Sequence, residues 1–202
     1  MTPSTEAILA LATLGFAATW TPGPNNMMLA ASGATFGMRA TTGHALGVAL
    51  GFPAMMFVLA LGLGEVFATT PALREALRWA GVALLLWIAW RIASASRARV
   101  EGGRAKPFTF LQACAFQWVN PKAWAMAISI PATFVSGADP LTEALICTAV
   151  MVAAGVTSAP TWTGFGALIG RWLASDLRLR VFNGVMGGLL ALSALYLLGA
   201  DL

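Results

Sequence analysis

Charge is scarce in this chain. Only 10% of its 202 residues are Asp, Glu, Lys or Arg, against roughly 25% in an ordinary soluble domain, and 58% are hydrophobic. So few charges cannot cover the surface of a water-soluble protein of this size, and lipid is the expected solvent. Cysteine occurs twice, at Cys114 and Cys147, both among apolar neighbours. That argues against a disulfide framework, and no metal-ligand spacing is present. One histidine, His44, cannot make a centre of several histidines. The phosphate loop, the dinucleotide fingerprint and the nucleophile elbow are all missing. Basic residues are scattered around apolar runs and form no nucleic-acid face. No cofactor, no metal and no enzymatic activity are expected. The opening "MTPSTEAILALA" has no basic region ahead of its apolar run, so the first segment is expected to remain in the mature chain.

What the chain has in abundance is long apolar runs, six of them. They cover about residues 6–36, 41–64, 73–95, 107–138, 144–170 and 181–200. A helix needs about 20 apolar residues to cross a bilayer. The first and fourth runs exceed that by about ten residues. Each also contains a helix breaker: Pro22-Gly23-Pro24 in the first, Pro121 in the fourth. Proline removes a backbone donor and clashes with the preceding turn. Backbone groups freed at membrane depth persist only where they line a cavity or are buried in protein.

The connections carry an orientation signal. Arg39, then Arg91, Arg97, Arg99, Arg104 and Lys106, then Arg171, Arg178 and Arg180 follow the odd-numbered runs, nine of the twelve basic residues. Arg74 and Arg78 lie on the other side, with Glu6, Glu65, Glu75, Asp139, Glu143 and Asp201. The excess of Lys and Arg then sets these loops in the cytoplasm and both termini outside. A shift of 99 residues places Pro22 on Pro121, the second run on the fifth and the third on the sixth. Each half has three spans, so the halves must be inverted, which is the pattern of secondary transporters with a midplane site. The expectation is an all-α membrane protein of six transmembrane helices in two inverted three-helix halves, with helices 1 and 4 interrupted at their proline motifs. As a single transmembrane domain, it divides into residues 1–95, a basic cytoplasmic loop 96–106, and residues 107–202.

These motifs carry a resemblance. "TPGPNNMMLAASGATFGMRATTGHALGVALGF" resembles the N-terminal signature of the LysE/RhtB amino-acid exporters, and "FQWVNPKAWAMAISI" resembles their second signature. The resemblance implies export of amino acids or related small metabolites, driven by the proton motive force, from the bacterial cytoplasm across the inner membrane. It leaves the substrate, the coupling ion and the oligomeric state open, with a homodimer among the candidate assemblies. A channel or assembly factor without coupled transport is the alternative class. A membrane thiol carrier is disfavoured, because the first run has no cysteine to pair with Cys114.

For Pro22, Gly23, Pro24 and Asn25 the bland reading is a loop between two shorter segments. The flanking pieces are each too short to span alone, which favours a break inside the membrane. The helix beginning after the break would offer unpaired N–H groups and a positive dipole end to a carboxylate. For Lys122, beside Asn120 and Pro121, the bland reading is snorkelling to an interface. About 15 uncharged residues on either side make the interface distant, and an intramembrane lysine is a functional candidate by default. The seven residues Pro22, Gly23, Pro24, Asn25, Asn120, Pro121 and Lys122 are therefore the candidate substrate site. Trp118 and Trp124 flank the second motif and are candidates to line it. Gly43, Gly47 and Gly51 recur every four residues, the spacing of close helix packing in membranes. His44 reads more readily as an interfacial residue than as a proton relay. No Asp or Glu is placed deep in any run, which favours a neutral amino acid or similar carboxylate over a cationic one.

Overall fold

The computed structural model describes residues 4–63, 69–95, 105–136, 139–173 and 175–199. The basic stretch 96–104, with Arg97, Arg99 and Arg104, lies outside the described residues, as do Glu65, Asp201 and the chain ends. Among the described residues every regular element is helical. In chain order they are α1 (Thr5–Trp20), α2 (Pro24–Phe36), α3 (Met38–Val58, continued by a π turn Leu59–Leu63), α4 (Pro71–Ala93), α5 (Phe110–Gln117), α6 (Pro121–Phe134), α7 (Pro140–Trp172) and α8 (Asp176–Gly199).

Local chemistry sets the boundaries. Pro24, Pro71, Pro121 and Pro140 all stand in the first turn of their helices, where the missing N–H is not needed and the fixed φ suits the helix. Thr109 and Gln112 form a reciprocal capping box that starts α5. Asp139 caps α7, and hydrogen bonds from the Thr142 side chain and N–H hold its carboxyl below the usual value. A single residue, Gly37, joins α2 to α3 at φ 82°. Only glycine adopts that conformation without strain. The first run is thus α1 plus α2, and the fourth is α5 plus α6. At ~1.5 Å per residue α1 is about 24 Å long and α2 about 20 Å, so neither alone crosses a hydrocarbon core of ~30 Å.

Among the described residues, three helical stretches are long and apolar enough to cross a membrane: Met38–Gly62, Pro71–Ala93 and Pro140–Trp172. Thr5–Trp20 is a shorter apolar helix. Their outward faces are apolar too: Trp90, Leu168 and Trp172 are 61%, 61% and 83% exposed. Patches of that kind mark a surface that meets something other than water.

α7 is the central element, packed closely on α2 and α3 and also on α1, while α8 pairs with α4 and α3 with α5. Glycine makes the α2–α7 contact possible. A Cβ at Gly33 would run into the Thr163 carbonyl, and one at Gly166 into the Ala30 carbonyl. At Gly51 it would lie 2.7 Å from Cys114 Cα of α5, and at Gly47 it would strike the Phe110 carbonyl. Gly43 differs, with only the Phe110 nitrogen near, at 3.7 Å. One core cluster joins Leu11, Phe52, Met55, Met56, Ile130 and Met151. A second joins Met28, Leu85, Ile88, Phe116 and Leu190.

Candidate functional site

Both proline breaks open helices, and the openings face each other. The Lys122 ammonium, on α6, donates to the Thr21 carbonyl at 2.9 Å and stands 3.4 Å from the Pro22 carbonyl. These carbonyls are left over where α1 stops. Breaking a helix strands C=O groups that must find partners, and here polar side chains supply them beside the one Thr21 N–H that still reaches the Ala17 carbonyl at 3.1 Å. The Thr21 hydroxyl reaches back to the Ala17 carbonyl at 2.5 Å. Asn26 Nδ2 donates to the carbonyls of Thr19 and Thr21, both at 2.8 Å. The Ser158 hydroxyl of α7 donates to the Thr19 carbonyl at 2.8 Å.

The second break is treated the same way. Asn120 accepts from its own Lys122 N–H at 3.1 Å and so caps α6. Trp124 Nε1 donates to the Trp118 carbonyl at 2.8 Å. Across the gap, Asn25 and Gln117 exchange amide hydrogen bonds at 2.9 and 3.2 Å. This pair ties the first turn of α2 to the last residue of α5. By contrast, no side chain caps the N-terminus of α2.

Between the breaks lies a cavity of about 50 Å³ whose wall includes Gly23, Asn25, Asn26, Asn120, Lys122, Pro53 and Ser158. Of the seven residues singled out in the sequence, Gly23, Asn25, Asn120 and Lys122 line it. Pro22 contributes its carbonyl to Lys122. Pro24 and Pro121 start the helices that bear the others. Gly23 is fully extended, with φ −178° and ψ 178°, a conformation open to any residue. Space decides its identity, because a Cβ there would lie 2.8 Å from Lys122 Cδ.

Two expectations differ from the structure, and one flanking acid is buried. Trp118 and Trp124 do not line the cavity; they stack edge to face at 6.2 Å and pack against the first core cluster. His44 is not interfacial: it is 2% exposed. Glu143 is a buried acid, 4% exposed, in the first turn of α7. The Ser136 N–H and hydroxyl donate to its carboxylate at 2.7 and 2.5 Å, which is how a buried carboxylate is tolerated. Asn26 belongs to the first break motif, TPGPNNMM, while Gln117 and Ser158 are the participants that sequence reasoning passed over. Their only signal was polarity inside apolar runs.

Broken apolar helices meeting at a cation-bearing cavity define a membrane translocator, and the chain belongs to that class: a family profile described as LysE type translocator matches residues 16–200, and the chain is a member of that family. The members of that family and the efflux relatives are transporters, not enzymes. Among its relatives are proteins named cysteine/O-acetylserine efflux protein. The one from Escherichia coli (strain K12) is 37% identical over 125 residues, 62% of this chain and 62% of the relative. The one from Shigella flexneri matches equally, and the one from Escherichia coli O1:K1 / APEC is 36% identical over the same length. The matched stretch spans less than two thirds of those relatives. No solved structure matches the chain.

Proposed function

We propose that this protein is a secondary exporter of a small neutral amino acid or a related carboxylate, with its substrate site at the joined breaks. The observation that carries this is the Lys122 ammonium set between two broken helices, on backbone carbonyls of the opposite break. A carboxylate entering the cavity would draw the ammonium off those carbonyls, because it meets the cation with a full opposite charge where a carbonyl offers only a dipole. The uncapped N-terminus of α2 supplies a second, dipolar attraction. Asn25 and Asn120 offer both donors and acceptors to the remainder of the substrate. Releasing Lys122 from the Thr21 carbonyl loosens the contact between the two breaks, so binding is coupled to rearrangement.

The architecture proposed is six spans in two inverted halves, residues 1–95 and 107–202. It is supported by matched Pro-initiated helices, α2 and α6, and by α3 packing on α5 where α7 packs on α1. The proposed setting is the bacterial inner membrane, with export driven by the proton motive force and both termini periplasmic. Positive-inside bias supports that orientation. A cysteine placed at Asp139 should react with an impermeant thiol reagent added to whole cells, and one at Gly102 should be protected. The reverse pattern inverts the topology.

The relatives' names make cysteine and O-acetylserine the first substrates to test. Cells overproducing the protein should excrete one of them, or resist toxic analogues, beyond cells with the empty vector. No excretion and no resistance across a panel of neutral amino acids would remove the exporter reading.

A further inference from the structure

A second and larger cavity, of about 320 Å³, lies between α2, the C-terminal half of α4 and the residues entering α5. His44, Ser32, Arg91, Lys106, Trp87 and Phe108 are among its walls. It carries two cations and, among the described residues, no acid. His44 is 2% exposed, and neither ring nitrogen has a hydrogen-bond partner. A buried polar group without a partner needs an explanation. Its ring rests against Phe108, with centroids 5.4 Å apart. Arg91 is held in place: it lies 4.8 Å over the Trp87 ring and 5.9 Å from Phe108, and donates to the Lys106 carbonyl at 3.3 Å. A guanidinium stacked this way keeps donors free for a carboxylate.

α2 connects this cavity to the one at the breaks. Asn25 lines the first and Ser32 the second, seven residues or about 10 Å apart along the helix. Met28 and Phe116, buried at 3% and 1%, pack with Leu85 and Ile88 in the second core cluster.

We propose that the His44–Arg91–Lys106 cavity is a second binding site, a vestibule that takes a small carboxylate-bearing solute before it reaches Lys122. Arg91 and Lys106 receive the carboxylate, and a His44 nitrogen meets a polar group at the ligand's inner end. Only the identity of the ligand rests on the export reading; the charge selectivity of the cavity does not.

The test uses a thiol reporter on the wall. Ser32→Cys is made in a chain with Cys114→Ala and Cys147→Ala, with Ser94→Cys as a second reporter on the opposite wall. The protein is placed in nanodiscs of neutral phosphatidylcholine, which expose both faces. An anionic methanethiosulfonate should modify either reporter on the order of tenfold faster than a cationic one of similar size, the scale of focusing in a cleft of one sign. Arg91→Gln should bring the two rates together. Millimolar O-acetylserine should slow modification severalfold, and still do so with Lys122→Ala, while its methyl ester should not. His44→Phe should weaken that protection and leave the charge preference intact. Equal rates for the two reagents overturn the vestibule outright, whatever the protein exports. A charge preference with no protection by O-acetylserine, cysteine or any solute the protein is found to export overturns the solute assignment. Protection that appears only when phosphatidylglycerol is added to the nanodisc overturns it too, and assigns the cavity to a lipid phosphate.

Discussion

Lys122→Ala will reach the membrane at normal levels and will not export. Lys122 has no part in the core clusters. Its ammonium serves two carbonyls, at 2.9 and 3.4 Å beside the cavity, which water entering the space left by the side chain can solvate. Folding should therefore survive the change. Binding should not, because losing one partner of a desolvated charge pair costs about 2–5 kcal/mol, roughly thirtyfold or more in affinity. Lys122→Arg separates charge from geometry. It keeps the cation, yet a planar guanidinium cannot sit as a compact point charge beside Gly23, and export should remain well below normal. Gly23→Ala attacks the same contact from the other side, since its methyl would stand 2.8 Å from Lys122 Cδ. The lysine can swing away, so the protein should fold with export reduced. The measurement is efflux from loaded cells, normalised to membrane expression. Normal efflux by Lys122→Ala would mean that the lysine only snorkels.

Gly166→Ala will have the opposite profile, with loss of the protein itself. The new Cβ would collide with the Ala30 carbonyl and lie 2.7 Å from Ala30 Cα. Backbone cannot rotate out of the way as a side chain can, so α2 and α7 must separate along their closest contact. Overpacking of this kind costs about 1–3 kcal/mol or more, on the order of 10 °C in unfolding midpoint at the upper end. Gly164→Ala is the control two residues away, where the nearest atom is Met38 Sδ at 4.0 Å. It should melt within a degree or two of the parent. Detergent-solubilised protein followed by size-exclusion fluorescence after heating reads both. Equal melting of the two variants would show that the α2–α7 approach is looser than described.

What the sequence revealed and what it concealed follow from the range of the interactions involved. The helix breaks were legible because proline acts locally. Pro22, Pro24 and Pro121 each remove a backbone donor and crowd the preceding turn, and α1 and α5 stop short of them, whereas Pro53, Pro131 and Pro160 stand inside helices. The small-residue contacts at Gly47 and Gly51 could be read from spacing alone. Gly43 fits the same spacing, yet it lies at the edge of the contact, because periodicity fixes a face and not how far the neighbouring helix extends. The partners of the stranded carbonyls could not be read. Asn25 and Gln117 are 92 positions apart, and Ser158 and Thr19 are 139 apart. Nothing local in either member names the other. His44 was misplaced for a related reason. Its position near the start of an apolar run suggested an interface, but Phe108 and the end of α4 fold over it. Glu143 was read as a flanking acid and stands in the first turn of α7, but its burial, and the two hydrogen bonds from Ser136 that satisfy it, had no local signal.

The most direct measurement of the central claim is accumulation of labelled O-acetylserine or cysteine by proteoliposomes holding the purified protein under an imposed proton gradient. The account predicts uptake that exceeds the outside concentration, collapses when the gradient is dissipated, and is absent with Lys122→Ala. Uptake that only equilibrates, or that Lys122→Ala leaves unchanged, would contradict it.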